Sequence, residues 1–234
     1  MKIRLDKYMS DSGLGTRASV KALLKTGSVL VNGEVCIDPS RKIESDSDVV
    51  TCAGKTVGYK EMEYIMLNKP AGVVTATRDK SASTVLDLIK GEHRRDLFPV
   101  GRLDKDTEGL LLITNDGRLS HDLLTPGKHV DKTYFVRVQG RITDDMVKAF
   151  EAGIDIGDEK DTAPAVLKVI NSGEISEAEV TITEGRYHQV KRMFSAFDCE
   201  VIYLKRISMG GLSLDESLQP GEFRELTEEE LKIL

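Results

Sequence analysis

Arg102 and Asp104 stand two residues apart in Gly101-Arg102-Leu103-Asp104-Lys105-Asp106-Thr107-Glu108-Gly109, just ahead of the apolar run Leu110-Leu111-Leu112-Ile113. That run has the length and character of a buried strand. Asn115-Asp116-Gly117 after it is a turn signal of the kind tight hairpins use, because these residues tolerate positive φ. A loop anchored by a buried strand keeps its side chains in place, as a reacting group requires. An ionised carboxylate held so can attack an electrophilic carbon and form a covalent intermediate without metal or cofactor, and a nearby cation protects the charge against burial. The bland alternative is an aspartate that caps a turn, with Arg102 as its partner.

A candidate cation lies in 188–197. Val190, Met193, Phe194 and Phe197 fall at i, i+3, i+4, i+7 and form the core stripe of a helix. His188, Arg192 and Ser195 then face away, and Lys191 sits at the edge of the stripe. Tyr134 lies on an alternating segment, 132–138, where it shares a face with Val136 and Val138, so core packing is its simplest role. Cys36, Cys52 and Cys199 are far apart, as are His93, His121, His129 and His188. Neither set has metal-ligand or disulfide spacing, and no glycine-rich phosphate loop occurs. We therefore expect no metal and no cofactor.

The positioning elements are legible in outline. Thr16 caps a helix over Arg17–Lys25, Gly27 stops it, and Asn32-Gly33 turns a hairpin. Arg17, Lys21 and Lys25 form one basic stripe on that helix, with Val20, Leu23 and Leu24 toward the core. Like charges at this spacing disfavour a helix slightly, so the stripe reads as an anion site or as a solvated face. Residues 53–60 are polar and glycine-bearing, which puts a domain boundary there: 1–60 and 61–234. Further along, 64–68, 72–77, 132–138, 166–170, 178–183 and 200–204 read as strands. Thr143 opens a helix that Gly153 ends, and Thr227-Glu228-Glu229-Glu230 is a capping box. Strands dominate without a βαβ repeat, so the expected class is α+β, with a mostly antiparallel mixed sheet flanked by helices.

The chain of 234 residues carries a net charge of −6. Charge is uneven, however: residues 1–60 hold ten Lys and Arg against seven Asp and Glu, whereas 141–184 hold four against eleven. Binding follows where charges lie, so the basic first module remains a nucleic-acid candidate, and the acidic lobe is expected to face away from RNA. No apolar stretch reaches membrane-spanning length and Met1–Asp6 lacks a signal-peptide core, so we expect a cytoplasmic protein with reduced thiols and no membrane partner.

Gly-Arg-Leu-Asp-x-x-Thr-x-Gly-Leu-Leu-Leu-x-Thr-x-Asp-Gly at 101–117 resembles the signature of the RNA pseudouridine synthases. Leu67-Asn68-Lys69-Pro70-Ala71-Gly72, Asp131-Lys132-Thr133-Tyr134 and Glu184-Gly185-Arg186-Tyr187-His188-Gln189-Val190-Lys191-Arg192-Met193-Phe194 recur in that family in the same order. The whole chain is similar to its RsuA-type branch. Arg4-Leu5-Asp6-Lys7, Gly13, Thr16-Arg17 and Gly27-x-Val29-x-Val31-Asn32-Gly33 resemble an S4 RNA-binding domain.

The resemblance implies a small S4-like domain followed by a catalytic domain that converts a uridine of ribosomal RNA to pseudouridine. The 185–194 segment is most like small-subunit (16S) enzymes, whose target is uridine 516; the sister reading is the same chemistry on 23S rRNA. A non-catalytic S4-type assembly protein would need none of Asp104, Tyr134 and Lys191. By resemblance Asp104 is the nucleophile and Lys191, rather than Arg192, its paired cation. Tyr134 stacks on the target base and is a candidate acid/base at C5. Arg102 fills the space the base vacates, unless it pairs with Asp106 or Glu108. Arg192, Arg4, Lys7, Arg17, Lys21 and Lys25 contact RNA. No cofactor is implied, and a monomer is expected.

Overall fold

The chain begins as strand β1 (Lys2–Arg4) and runs straight into helix α1 (Leu5–Asp11). Helix α2 (Arg17–Lys25) follows, capped by Thr16, whose hydroxyl accepts a hydrogen bond from Ser19 N at 3.2 Å. Strands β2 (Val29–Val31) and β3 (Glu34–Val35) form the hairpin expected about Asn32 and Gly33, both at positive φ. Then come β4 (Lys42–Glu44), β5 (Val50–Cys52) and β6 (Lys55–Thr56). β4 pairs with β1, and the others build a sheet in the order β3-β2-β5-β6. Val20 and Leu24 of α2 enter a core with Leu5, Met9, Val29 and Val31. Arg17, Lys21 and Lys25 are exposed on the same helix.

The chain resumes with β7 (Tyr64–Lys69), a 3-10 turn at Val85–Leu88, β8 (Phe98–Pro99), β9 (Glu108–Thr114) and α3 (Gly117–Leu124). After a second 3-10 turn at Pro126–Lys128 follow β10 (Lys132–Gln139), α4 (Asp144–Ala152), β11 (Val166–Asn171), β12 (Ile175–Ile182) and α5 (Gln189–Ser195). The last elements are β13 (Glu200–Met209), β14 (Leu212–Ser213), β15 (Phe223–Glu225) and α6 (Glu228–Lys232). The strands make one nine-stranded sheet in the order β11-β12-β10-β13-β9-β7-β15, with β14 on β13 and β8 on β9. Every pairing is antiparallel except β13 with β9. This is the expected α+β class with a mixed, mostly antiparallel sheet.

The computed structural model describes residues 1–91 and 93–234. It divides into two units, Met1–Glu63 with Ile89–Leu97, and Tyr64–Leu88 with Phe98–Leu234. The sequence placed one boundary at residue 60; in the structure the chain crosses between units three times. Arg94 holds the returning segment in the first unit: it pairs with Asp96 at 2.6 Å and Asp11 at 3.4 Å, donates to Lys60 O at 2.8 Å, and lies over the Tyr59 ring.

Two local readings are corrected. Residues 72–77 form no strand: Gly72 sits at φ +90°, Val74 makes only an isolated bridge to Thr84, and the Thr75 hydroxyl bonds to Leu103 O, so no ladder runs along the segment. Asn115-Asp116-Gly117 is a helix start instead of a hairpin turn, because the Asp116 carboxylate accepts from Arg118 N and Leu119 N.

Candidate active site

Asp104 lies on the loop between β8 and β9, and a buried lysine holds that loop. Lys69, at the end of β7, is 0% exposed. Its Nζ donates to the carbonyls of Pro70 (3.1 Å), Asp104 (3.0 Å), Lys105 (3.3 Å) and Thr107 (2.8 Å). Burial pushes this ammonium down to about 8, against the pull of Asp106 and Glu108, so it keeps its proton at pH 7. The Thr75 hydroxyl donates to Leu103 O at 2.7 Å, and Gly72 N donates to Lys105 O at 2.7 Å. Residues 70–75 thus lie along the Asp104 loop as a brace. At the loop's far end Gly109 enters β9 at φ +98°, where a Cβ would sit 2.2 Å from Arg206 O. Glycine is needed for this close approach of β9 to β13. Lys69→Met should lower thermal stability by about 2–4 kcal/mol, because buried carbonyls lose their donor. An unchanged unfolding midpoint would show that the brace does not depend on this residue.

Helix α5 and the His188 residue just before it bring two nitrogens to the Asp104 carboxylate. Lys191 Nζ is 3.4 Å from Oδ2, and His188 Nε2 is 3.5 Å from Oδ1. Lys191 is shared: it also reaches Asp106 Oδ1 at 2.6 Å, and that hydrogen bond holds the Asp106 carboxyl below the usual carboxylate range. Asp104 remains 29% exposed and open to a substrate. His188 precedes the helix in the left-handed region, φ +48°, with its ring stacked on Tyr187. Sequence periodicity put His188 on the face away from the core but gave it no partner. Its spacing of three from Lys191 was the available signal.

Arg192 is engaged elsewhere. Its guanidinium donates to Ile156 O, Tyr187 O and the Asp158 carboxylate. Arg186 binds the same segment through Asp158, Lys160 O and Asp161 O. The two arginines tie 156–161 to the start of α5, and Arg192 keeps 28% of its side chain exposed. Tyr134 is 8% exposed on β10 and faces Arg206 of β13 in register, which in turn faces Gly109 of β9. One row of the sheet therefore carries Tyr134 and the strand entry just after the Asp104 loop. Arg102 is exposed on that loop, with no ion pair among the described residues; Asp106 is taken by Lys191 and Glu108 by the Tyr203 hydroxyl. In the first unit Arg4 and Lys7 pair with Asp6 and Asp11, whereas Arg17, Lys21 and Lys25 have no such partner among the described residues.

Among the described residues no group of His, Cys, Asp and Glu could hold a metal, and no helix is long and apolar enough to cross a membrane. The site is a braced, accessible carboxylate with a lysine and a histidine against it. That constellation suits nucleophilic attack or proton abstraction.

Comparison with known proteins places this geometry in a family. Residues 63–196 match the RNA pseudouridylate synthase family and residues 3–50 match the S4 domain. The chain belongs to the RNA pseudouridylate synthases, isomerases that act on RNA, and carries an S4 RNA-binding domain. It is 49% identical, over 99% of its length and 98% of the relative's, to the uncharacterized RNA pseudouridine synthase YtzG of Bacillus subtilis. It is 40% identical to ribosomal small subunit pseudouridine synthase A of Escherichia coli, over 98% of each chain. A crystal structure of a pseudouridylate synthase superposes with a TM-score of 0.70 at 35% identity, covering 99% of both chains.

Proposed function

We propose that this protein converts one uridine of 16S rRNA to pseudouridine, at the position of uridine 516, with Asp104 as the nucleophile. The observation that carries the reading is the Asp104 carboxylate, braced through Lys69 and flanked by Lys191 and His188. The choice of small-subunit RNA rests on the near full-length similarity to the Escherichia coli enzyme of that name. Asp104 attacks the nucleoside and the N-glycosidic bond breaks. The freed uracil turns, its C5 bonds to the same ribose carbon, and the Asp104 carboxylate leaves that carbon, which restores the free acid group. The C5 proton is lost, and N1 gains one. Tyr134 supports the base from the sheet and relays the C5 proton to water. In this relay the hydroxyl passes its own proton to a neighbour or water as it takes up the one from C5. Arg102, exposed and unpaired among the described residues, occupies the stack that the extruded uridine leaves. Residues 1–60 supply RNA affinity and 61–234 the chemistry. The acting unit in this proposal is a monomer.

Mapping pseudouridine in rRNA from cells with and without the protein tests the target. Loss of one 16S pseudouridine is the expected result. A loss confined to 23S rRNA would transfer the chemistry to the large subunit. No loss at all would favour an RNA-binding assembly protein.

The basic stripe has its own test. Phosphate contacts set affinity and its salt dependence. Replacing Arg17, Lys21 and Lys25 together by alanine should weaken RNA binding and flatten the slope of log K against log salt by up to about three units. An unchanged slope would reduce the stripe to a solvated helix face.

A further inference from the structure

Tyr187 is 75% exposed, the most exposed of the large hydrophobic side chains among the described residues. It is nonetheless an ordered surface. Its ring lies on the His188 imidazole with centroids 3.9 Å apart and planes 15° apart. His188 in turn reaches Asp104 at 3.5 Å. The backbone beneath is pinned: Tyr187 O accepts from Arg192 Nη1 at 3.1 Å, Arg186 N donates to Gln189 Oε1 at 2.9 Å, and Arg192 N donates to His188 O at 2.9 Å. His188 holds a left-handed conformation, φ +48°, that a non-glycine residue keeps only where its surroundings impose it. The result is a short stack that starts at the reactive carboxylate and ends in a flat aromatic face open to solvent.

We propose that this outer face of Tyr187 receives the base next to the target uridine, so that Tyr187 and His188 form a stacking shelf for the flanking nucleotide. The inference rests on the proposed reaction at Asp104. The target uridine cannot be the occupant, since its ribose must reach Asp104 and a base on Tyr187 lies a full ring beyond His188. A neighbour fits. Extruding the target parts its two neighbours; Arg102 takes the vacated space beside one of them, and an aromatic ring can receive the other with little regard to sequence. The shelf therefore acts on affinity and on the extruded state, and leaves sequence choice to other contacts.

The test uses the full-length protein and a synthetic 16S rRNA fragment that contains the target uridine. Tyr187→Leu should weaken binding by on the order of tenfold, and Tyr187→Phe should bind like the wild type. Placing an abasic nucleotide on one side of the target should remove the difference between wild type and Tyr187→Leu. Equal affinity of wild type and Tyr187→Leu would overturn the shelf. So would a Tyr187→Phe variant as weak as Tyr187→Leu, or a gap that persists with either neighbour abasic. Failure of the wild type to convert a uridine in the fragment would refute the proposed reaction instead, and the affinity measurements would still judge the shelf.

Discussion

Asp104→Asn is expected to lower single-turnover pseudouridine formation by roughly a thousandfold or more while leaving RNA binding nearly intact. The amide keeps the shape of the carboxylate, and the Lys69 contact is to the Asp104 carbonyl, which the substitution does not touch. What goes is the proposed nucleophile, together with its ion pair to Lys191 at 3.4 Å and its contact with His188 at 3.5 Å. Partly exposed pairs of this kind contribute about 1 kcal/mol or less, so the fold should hold. The reaction replaces the C5 hydrogen, so release of a label from C5 of the uridine reports it directly. Activity within about tenfold of wild type would exclude Asp104 as the nucleophile, since losing a covalent nucleophile costs far more.

Lys191→Ala should cost roughly a hundredfold in turnover, an effect of the size a positioned charge supplies at an active site. Lys191 serves two carboxylates, Asp104 and Asp106, and its removal leaves both without their shared cation. Arg192→Ala should act differently. Its guanidinium braces Ile156, Tyr187 and Asp158, so the loss should fall first on thermal stability and on the setting of α5. Turnover and unfolding midpoints measured on both variants separate the two roles. A deeper loss of turnover in Arg192→Ala than in Lys191→Ala would reverse the assignment.

The features legible in the sequence are those whose partners are close in the chain. Thr16, Thr143 and Thr227 cap helices because their hydroxyls meet backbone amides within the first turn, and all three do so in the structure. Asn32-Gly33 turns a hairpin for the same local reason. Asn115-Asp116-Gly117 shows the weakness of such signals. The same residue types serve hairpin turns and helix caps, and Asp116 here caps α3. The stretch 72–77 has strand-forming residues, but Val74 meets Thr84 in a single bridge, and Gly72 and Thr75 bond to Lys105 and Leu103 far along the chain, which no window of sequence contains. The site follows the same rule. Motif resemblance brought Asp104 and Lys191 together, whereas the contact of His188 with Asp104 and the four carbonyls around Lys69 depend on the packing of β7, β9 and α5. Periodicity likewise put Arg192 on an outward face, but the loop at 156–161 folds back to meet it.

The return of Ile89–Leu97 to the first unit has a consequence for how the protein is made. A ribosome releases the chain from its N-terminus, and domains tend to fold as they emerge. The first unit, however, is incomplete when residue 63 emerges, because Arg94 and its contacts with Asp11, Lys60 and Tyr59 come some thirty residues later. Between them the chain has already laid down β7, which carries Lys69. The RNA-binding unit therefore cannot reach its final form before the catalytic unit has begun. The pair is assembled by interleaved synthesis, and cutting the chain at residue 60 would divide one folding unit instead of separating two.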